Sequence, residues 1–70
     1  MYRENVLSSS IKSVGYDSEN EILEIEFRRG AIYQYSEVSL ETVNELMLAD
    51  STGSYFSKNI ARNYKYKQIN

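Results

Sequence analysis

From Ile22 to Phe27 the chain reads Ile-Leu-Glu-Ile-Glu-Phe, with apolar side chains at 23, 25 and 27 and acids between them. Side chains alternate faces along a strand, so this segment is a half-buried β-strand with Leu23, Ile25 and Phe27 turned inward. Any partner must match that parity, because a slip of one residue moves every apolar side chain to water. Ala31-Ile32-Tyr33-Gln34-Tyr35 follows after Arg28-Arg29-Gly30. A three-residue loop with Gly30 left-handed sets Phe27 opposite Ala31, Ile25 opposite Tyr33 and Leu23 opposite Tyr35, all on one face. A two-residue loop at Arg29-Gly30 opposes Glu26 to Tyr33 and splits the apolar set, so the longer loop is predicted. Upstream, a four-residue turn over Ser18-Glu19-Asn20-Glu21 pairs Tyr16 with Leu23 and Val14 with Ile25. The strand Ile11 to Tyr16 then completes a three-stranded antiparallel meander with one apolar side.

The helical half follows. Ser39 is a good N-cap, Glu41 sits in the first turn where the helix dipole favours an acid, and Val38 and Val43 hold the positions of a hydrophobic staple. Val43, Leu46 and Met47 form the inward stripe, with Leu40 at its edge. Asp50-Ser51-Thr52-Gly53 is read as the end of this helix, and Ser54 as the cap of a second one reaching about Tyr64. Phe56, Ile60 and Tyr64 share one face of it; Lys58, Arg62 and Lys65 share another. Residues 65–70 are left open between a frayed end and an edge strand, since Tyr64-Lys65-Tyr66-Lys67 alternates. The expected fold is α+β, one domain over residues 1–70, with two helices packed on one face of the meander. Its predicted core is Val14, Tyr16, Leu23, Ile25, Phe27, Val43, Met47, Phe56 and Ile60.

The chain's 70 residues include no Cys and no His, so neither a disulfide nor a Cys/His zinc site can add stability. Packing alone must hold the domain, and a margin of only a few kcal/mol is expected. Seven Tyr and two Phe within the 41% hydrophobic content supply much of the bulk. No run approaches the roughly 20 apolar residues of a membrane span, and the first residues form no secretion signal, so a cytoplasmic address is the default expectation.

Nucleophilic or zinc chemistry of the usual kind needs a His or Cys. Glu24 and Glu26 lie on one strand face, and Asp17, Glu19 and Glu21 crowd one turn. Acid/base work needs carboxylates whose affinities are pushed apart by burial, whereas these are placed on a solvated strand face and a wet turn. The turn acids match no calcium loop, and Gly30 and Gly53 are isolated, so no phosphate-cradling glycine loop is read. The sequence predicts a binding module rather than an enzyme, without metal or cofactor.

Charge is divided unevenly. Residues 1–50 carry ten acids against four bases, a net −6, while residues 51–70 carry Lys58, Arg62, Lys65 and Lys67 with no acid, a net +4. A basic end can hold an anion, or can draw the two ends of the fold together. Four cations are few for a nucleic-acid footprint. Arg28 and Arg29 add to them at the hairpin tip, where both are exposed and either touch phosphates or keep the turn soluble. Tyr33 and Tyr35, two apart on a strand, have the spacing of a base-stacking platform, but parity sets them beside Ile25 and Leu23 in the core. The candidate nucleic-acid residues are therefore Arg28, Arg29, Tyr33, Tyr35, Lys58, Arg62, Lys65 and Lys67.

Taken together, the pattern resembles the KTSC domain family, named for its place at the C-terminus of some lysyl-tRNA synthetases. The matching pieces are Ser9-Ser10-Ile11, Ser13-Val14-Gly15-Tyr16-Asp17, Leu23-Glu24-Ile25-Glu26-Phe27 and Gly30. Tyr33-Gln34-Tyr35 fits the family's central YxY motif and is followed by Val38. Leu46, Ala49, Ser51, Gly53, Tyr55-Phe56 and Ile60 fit its C-terminal half. The resemblance covers roughly residues 6–66. It implies a short domain that also occurs as free-standing bacterial and phage proteins, with RNA binding suggested by the synthetase context. Two readings stand: a module for RNA or single-stranded nucleic acid, and a protein–protein interaction module using an apolar edge or the acidic sheet face.

Overall fold

A computed structural model describes residues 1–70. The predicted hairpins form with the predicted registers. β2 (Ile11–Asp17) pairs antiparallel with β3 (Ile22–Phe27), setting Val14 opposite Ile25 and Tyr16 opposite Leu23. β4 (Ile32–Tyr35) pairs on the other side, setting Tyr33 opposite Ile25 and Tyr35 opposite Leu23. Gly30 adopts φ +106°, and the Phe27 amide donates to Ala31 O at 2.8 Å, closing the three-residue loop. In the other turn, Asp17 Oδ1 accepts from the amides of Glu19 and Asn20 at 3.1 and 3.2 Å. These bonds, led by the one from the Asn20 side chain to Oδ2, hold the Asp17 carboxyl below its ordinary range.

Two short strands extend the meander. β1 (Arg3–Asn5) joins the free side of β2, and β5 (Tyr66–Gln68) joins β4, so the sheet has five antiparallel strands in chain order. Residues 65–70 thus take the strand alternative. The register of β2 shifts between Ile11 and Ser13, a bulge at Lys12 that turns Ile11 to the same face as Phe27. Ile11 is fully buried in consequence, a core residue that simple alternation does not reveal.

α1 (Leu40–Leu48) and α2 (Thr52–Asn59) cover the apolar face. The Ser39 hydroxyl caps α1 as expected, accepting from the Thr42 amide at 3.2 Å. α2 departs from expectation at both ends. Its cap is Ser51, whose hydroxyl accepts from the Ser54 amide at 3.2 Å, so Gly53 lies in the first turn and does not end α1. A Cβ at Gly53 would meet the Ser10 and Ser8 hydroxyls at 3.0 and 3.2 Å, so the loop before β2 packs close against α2 and a methyl there would make those hydroxyls give by a few tenths of an ångström. At the other end α2 stops at Asn59. Both Ile60 and Ala61 donate to Phe56 O, and the chain turns back to lay β5 against β4.

Six of the nine predicted core residues are buried: Val14, Leu23, Ile25, Val43, Phe56 and Ile60. Tyr16, Phe27 and Met47 are half-buried and pack against them. Ile11, Tyr35, Val38 and Leu46 complete the buried cluster. Tyr16 donates its hydroxyl to Val38 O, tying β2 to the start of α1.

The opposite sheet face is less wet than alternation implies. Glu24 is only 8% exposed, lying between Arg3 on β1 at 3.0 Å and Gln34 on β4, whose Nε2 donates at 2.9 Å. Glu26 accepts from the Ser13 hydroxyl at 2.8 Å. Both acids are spent on joining strands, which corrects their placement on a solvated face.

Candidate nucleic-acid interface

The aromatic residues gather where β3, β4 and β5 meet α2. Tyr66 faces Tyr33 and Tyr35 across β4, with ring centroids 5.5 and 5.6 Å away and planes tilted by 40° and 37°. Phe27 meets Tyr33 edge-on at 5.7 Å and Phe56 at 5.5 Å, and Tyr35 meets Phe56 at 5.4 Å. This continuous ring cluster runs from solvent into the core. Tyr66 is 58% exposed, Tyr33 and Phe27 are half-buried, and Tyr35 and Phe56 are buried. Tyr66 and the open side of Tyr33 form a shelf on which flat groups can stack, Phe27 stands perpendicular to Tyr33 at its end, and the inner members fix its tilt. Burial, and then the neighbouring Tyr33 and Tyr66, push the Tyr35 hydroxyl up to about 12. Tyr35 is therefore a core residue whose ring offers no stacking surface, and it leaves the candidate set on that ground.

The cations spread further apart than the sequence pattern suggests. Arg29 at the hairpin tip lies over the Phe27 ring, 5.6 Å from its centroid, at one end of the shelf. Lys65 immediately precedes β5, where its carbonyl accepts from the Ser36 amide at 2.9 Å. Lys58 is exposed in the last turn of α2, and Arg62 in the turns beyond it. Because the helix ends at Asn59, Lys58, Arg62 and Lys65 do not share a helical face, a correction to the expected basic stripe. Arg28 points its guanidinium at the N-terminal loop, donating from Nε to Ser8 O at 2.6 Å and from Nη2 to Val6 O at 3.3 Å. Lys67 stands opposite Gln34 and so belongs to the face that carries Glu24, away from the shelf.

The structure thus brings Tyr33 and Arg29 together and adds Tyr66 and Phe27, which the candidate set lacks. One signal for Tyr66 is present in the sequence: pairing the alternating stretch 64–67 with β4 sets Tyr66 opposite Tyr35.

Comparison with known proteins fits this architecture. Residues 7–64 match the KTSC domain. The chain belongs to the KTSC domain family. The crystal structure of a KTSC domain protein from Yersinia pestis superimposes with a TM-score of 0.94 at 38% identity, covering 99% of this chain and 97% of the other. An uncharacterised protein of Stutzerimonas stutzeri is 44% identical over 70 residues, 99% of each chain. A lysine–tRNA ligase of Trichormus variabilis is 41% identical over 61 residues, which are 87% of this chain but 11% of the ligase. The KTSC domain thus occurs both as most of a short chain and as a small part of a synthetase. Within this KTSC domain the motif tyrosines divide, Tyr35 into the core and Tyr33 onto the shelf, while Tyr66 lies just beyond the matched stretch.

Proposed function

We propose that this KTSC domain is a non-catalytic module that binds single-stranded nucleic acid, RNA foremost, on the shelf of Tyr66, Tyr33 and Phe27. One observation carries the reading: two tyrosine rings, one of them 58% exposed, adjoin at 5.5 Å on a sheet face with Arg29 at one end. Bases stack on such rings with little regard to sequence, at about 1–3 kcal/mol each, while neighbouring cations hold the backbone. The kinship with a segment of a lysine–tRNA ligase supports a role beside RNA.

The test is the affinity of a short oligouridylate as salt is raised. With about three cations at phosphates, log K falls with log salt at a slope near −2, roughly a 20-fold loss between 50 and 200 mM. Tyr66→Ala removes an exposed ring from an edge strand and is expected to weaken binding by about 1–3 kcal/mol. Binding that ignores both salt and Tyr66 moves the assignment to the second reading, a protein-interaction module. That reading rests on a different surface, a groove lined by Tyr2, Val14, Tyr16, Val43 and Met47, where Tyr2 is 81% exposed.

A further inference from the structure

Beyond the shelf, past Phe27, lies a cleft of about 390 Å³ between the hairpin tip, the loop before β2 and α2. That volume is at the lower end of the range of about 300–1,000 Å³ for small-ligand sites. Phe27 and Phe56 line it, with Arg28, Arg29, Ser10 and Ser57 among its polar residues. None of the ten acids of the chain lines it. We infer that this cleft is a phosphate subsite that receives the phosphorylated end of a strand whose bases lie on the shelf. The inference rests on the reading of the shelf given above.

Three observations carry it. The Arg28 guanidinium is held before any ligand arrives by the carbonyls of Ser8 and Val6, and that of Arg29 rests over the Phe27 ring. A planar fork already fixed loses little freedom on binding a phosphate, and its remaining N–H groups match phosphate oxygens in pairs. Phe27 belongs both to the cleft and to the shelf, reaching Tyr33 edge-on at 5.7 Å, so a base on the shelf and a phosphate in the cleft are neighbours. Finally, the loop before β2 closes against α2 beside the cleft, leaving a Cβ at Gly53 only 3.0 Å from the Ser10 hydroxyl. A phosphate entering from the shelf meets both elements, Ser10 on the loop and Ser57 on α2. A terminal phosphate also carries more charge and one more free oxygen than an internal diester.

The experiment titrates the isotope-labelled protein with three hexauridylates: 5′-phosphorylated, 3′-phosphorylated and carrying hydroxyls at both ends. One phosphorylated form is expected to bind about 5- to 10-fold more tightly than the hydroxyl form, with shifts at the Ser10, Arg29 and Ser57 amides. Either end fulfils the proposal, and the preferred one gives the polarity of the strand. Ser57→Glu sets a negative charge in the cleft from an exposed helical position and should abolish the preference; because Arg29 also serves the shelf, the hydroxyl strand should weaken too, but by less than the phosphorylated one. Equal affinity of all three strands overturns the cleft and leaves the shelf intact. No binding of any strand at 50 mM salt overturns both. A preference that survives Ser57→Glu places the phosphate elsewhere and overturns the cleft.

Discussion

At the scale of single residues, Gly30 and Tyr35 hold conformations or environments that other side chains do not share. Gly30 sits at φ +106° with open space around the position of a Cβ, so a substitution there is penalised by backbone strain alone. Gly30→Val is expected to lose about 1–2 kcal/mol in chemical denaturation, and no loss would mean that the hairpin tolerates another loop. Tyr35 carries the other expectation. Its hydroxyl titrates at about 12 in the fold and near about 10 in the unfolded chain, so folding favours the protonated form. Its contribution is complete below about pH 10 and is lost as pH rises toward 12. Tyr35→Phe should flatten the fall in stability between pH 10 and 12, and an unchanged slope assigns that fall to other groups. That Tyr35 is core and Tyr33 half-open was not legible in the motif. Parity puts both on the inner face, and only the position of α2 decides which ring it covers.

At the scale of elements, strand registers were legible and the bounds of α2 were not. Parity in β2, β3 and β4 leaves one pairing that buries all apolar side chains, and that pairing forms. Asp50-Ser51-Thr52-Gly53 reads as a turn because glycine is a poor helix former, yet Ser51 caps α2 and Gly53 lies in its first turn, where the loop bearing Ser8 and Ser10 packs close. The contact made at Gly53 comes from some forty positions away in the chain, outside any local window. It also predicts coupling. Gly53→Ala alone should forfeit the gain of about 1 kcal/mol that helix propensity offers, because the new methyl crowds Ser10. With Ser10→Ala beside it, at least about 0.5 kcal/mol of that gain should return in a double-mutant cycle, and strict additivity would show that the loop yields freely. The basic stripe failed for the same reason as the boundary: three cations at helical spacing make a stripe only where the helix continues.

For the molecule as a whole, the aromatic cluster joins stability to the proposed site. Phe27 packs on Phe56 and Tyr33 and carries Arg29 on its face, so Phe27→Ala should disturb core, shelf and cleft together. Because the ring is half-buried, a loss of about 2–3 kcal/mol is expected, below the 3–5 typical of a fully buried Phe. A melting temperature within a few degrees of the parent would show that the ring cluster contributes little to the fold. Strand order equal to chain order has a kinetic consequence. The β2–β3 and β3–β4 hairpins close over short loops and can nucleate early, whereas β5 reaches β4 only after both helices have been laid down. The strand that brings Tyr66 to the shelf is thus expected to dock after the central hairpins and to open from the native state before them. Amide exchange reads this directly. The Ile69 amide, bonded to Ile32 O at 2.8 Å, should open at lower free energy than that of Ile25 in the middle strand, and a strand laid across Tyr66 would slow it. The shelf then belongs to the part of the domain that breathes, and a bound strand acts as the clasp that closes it.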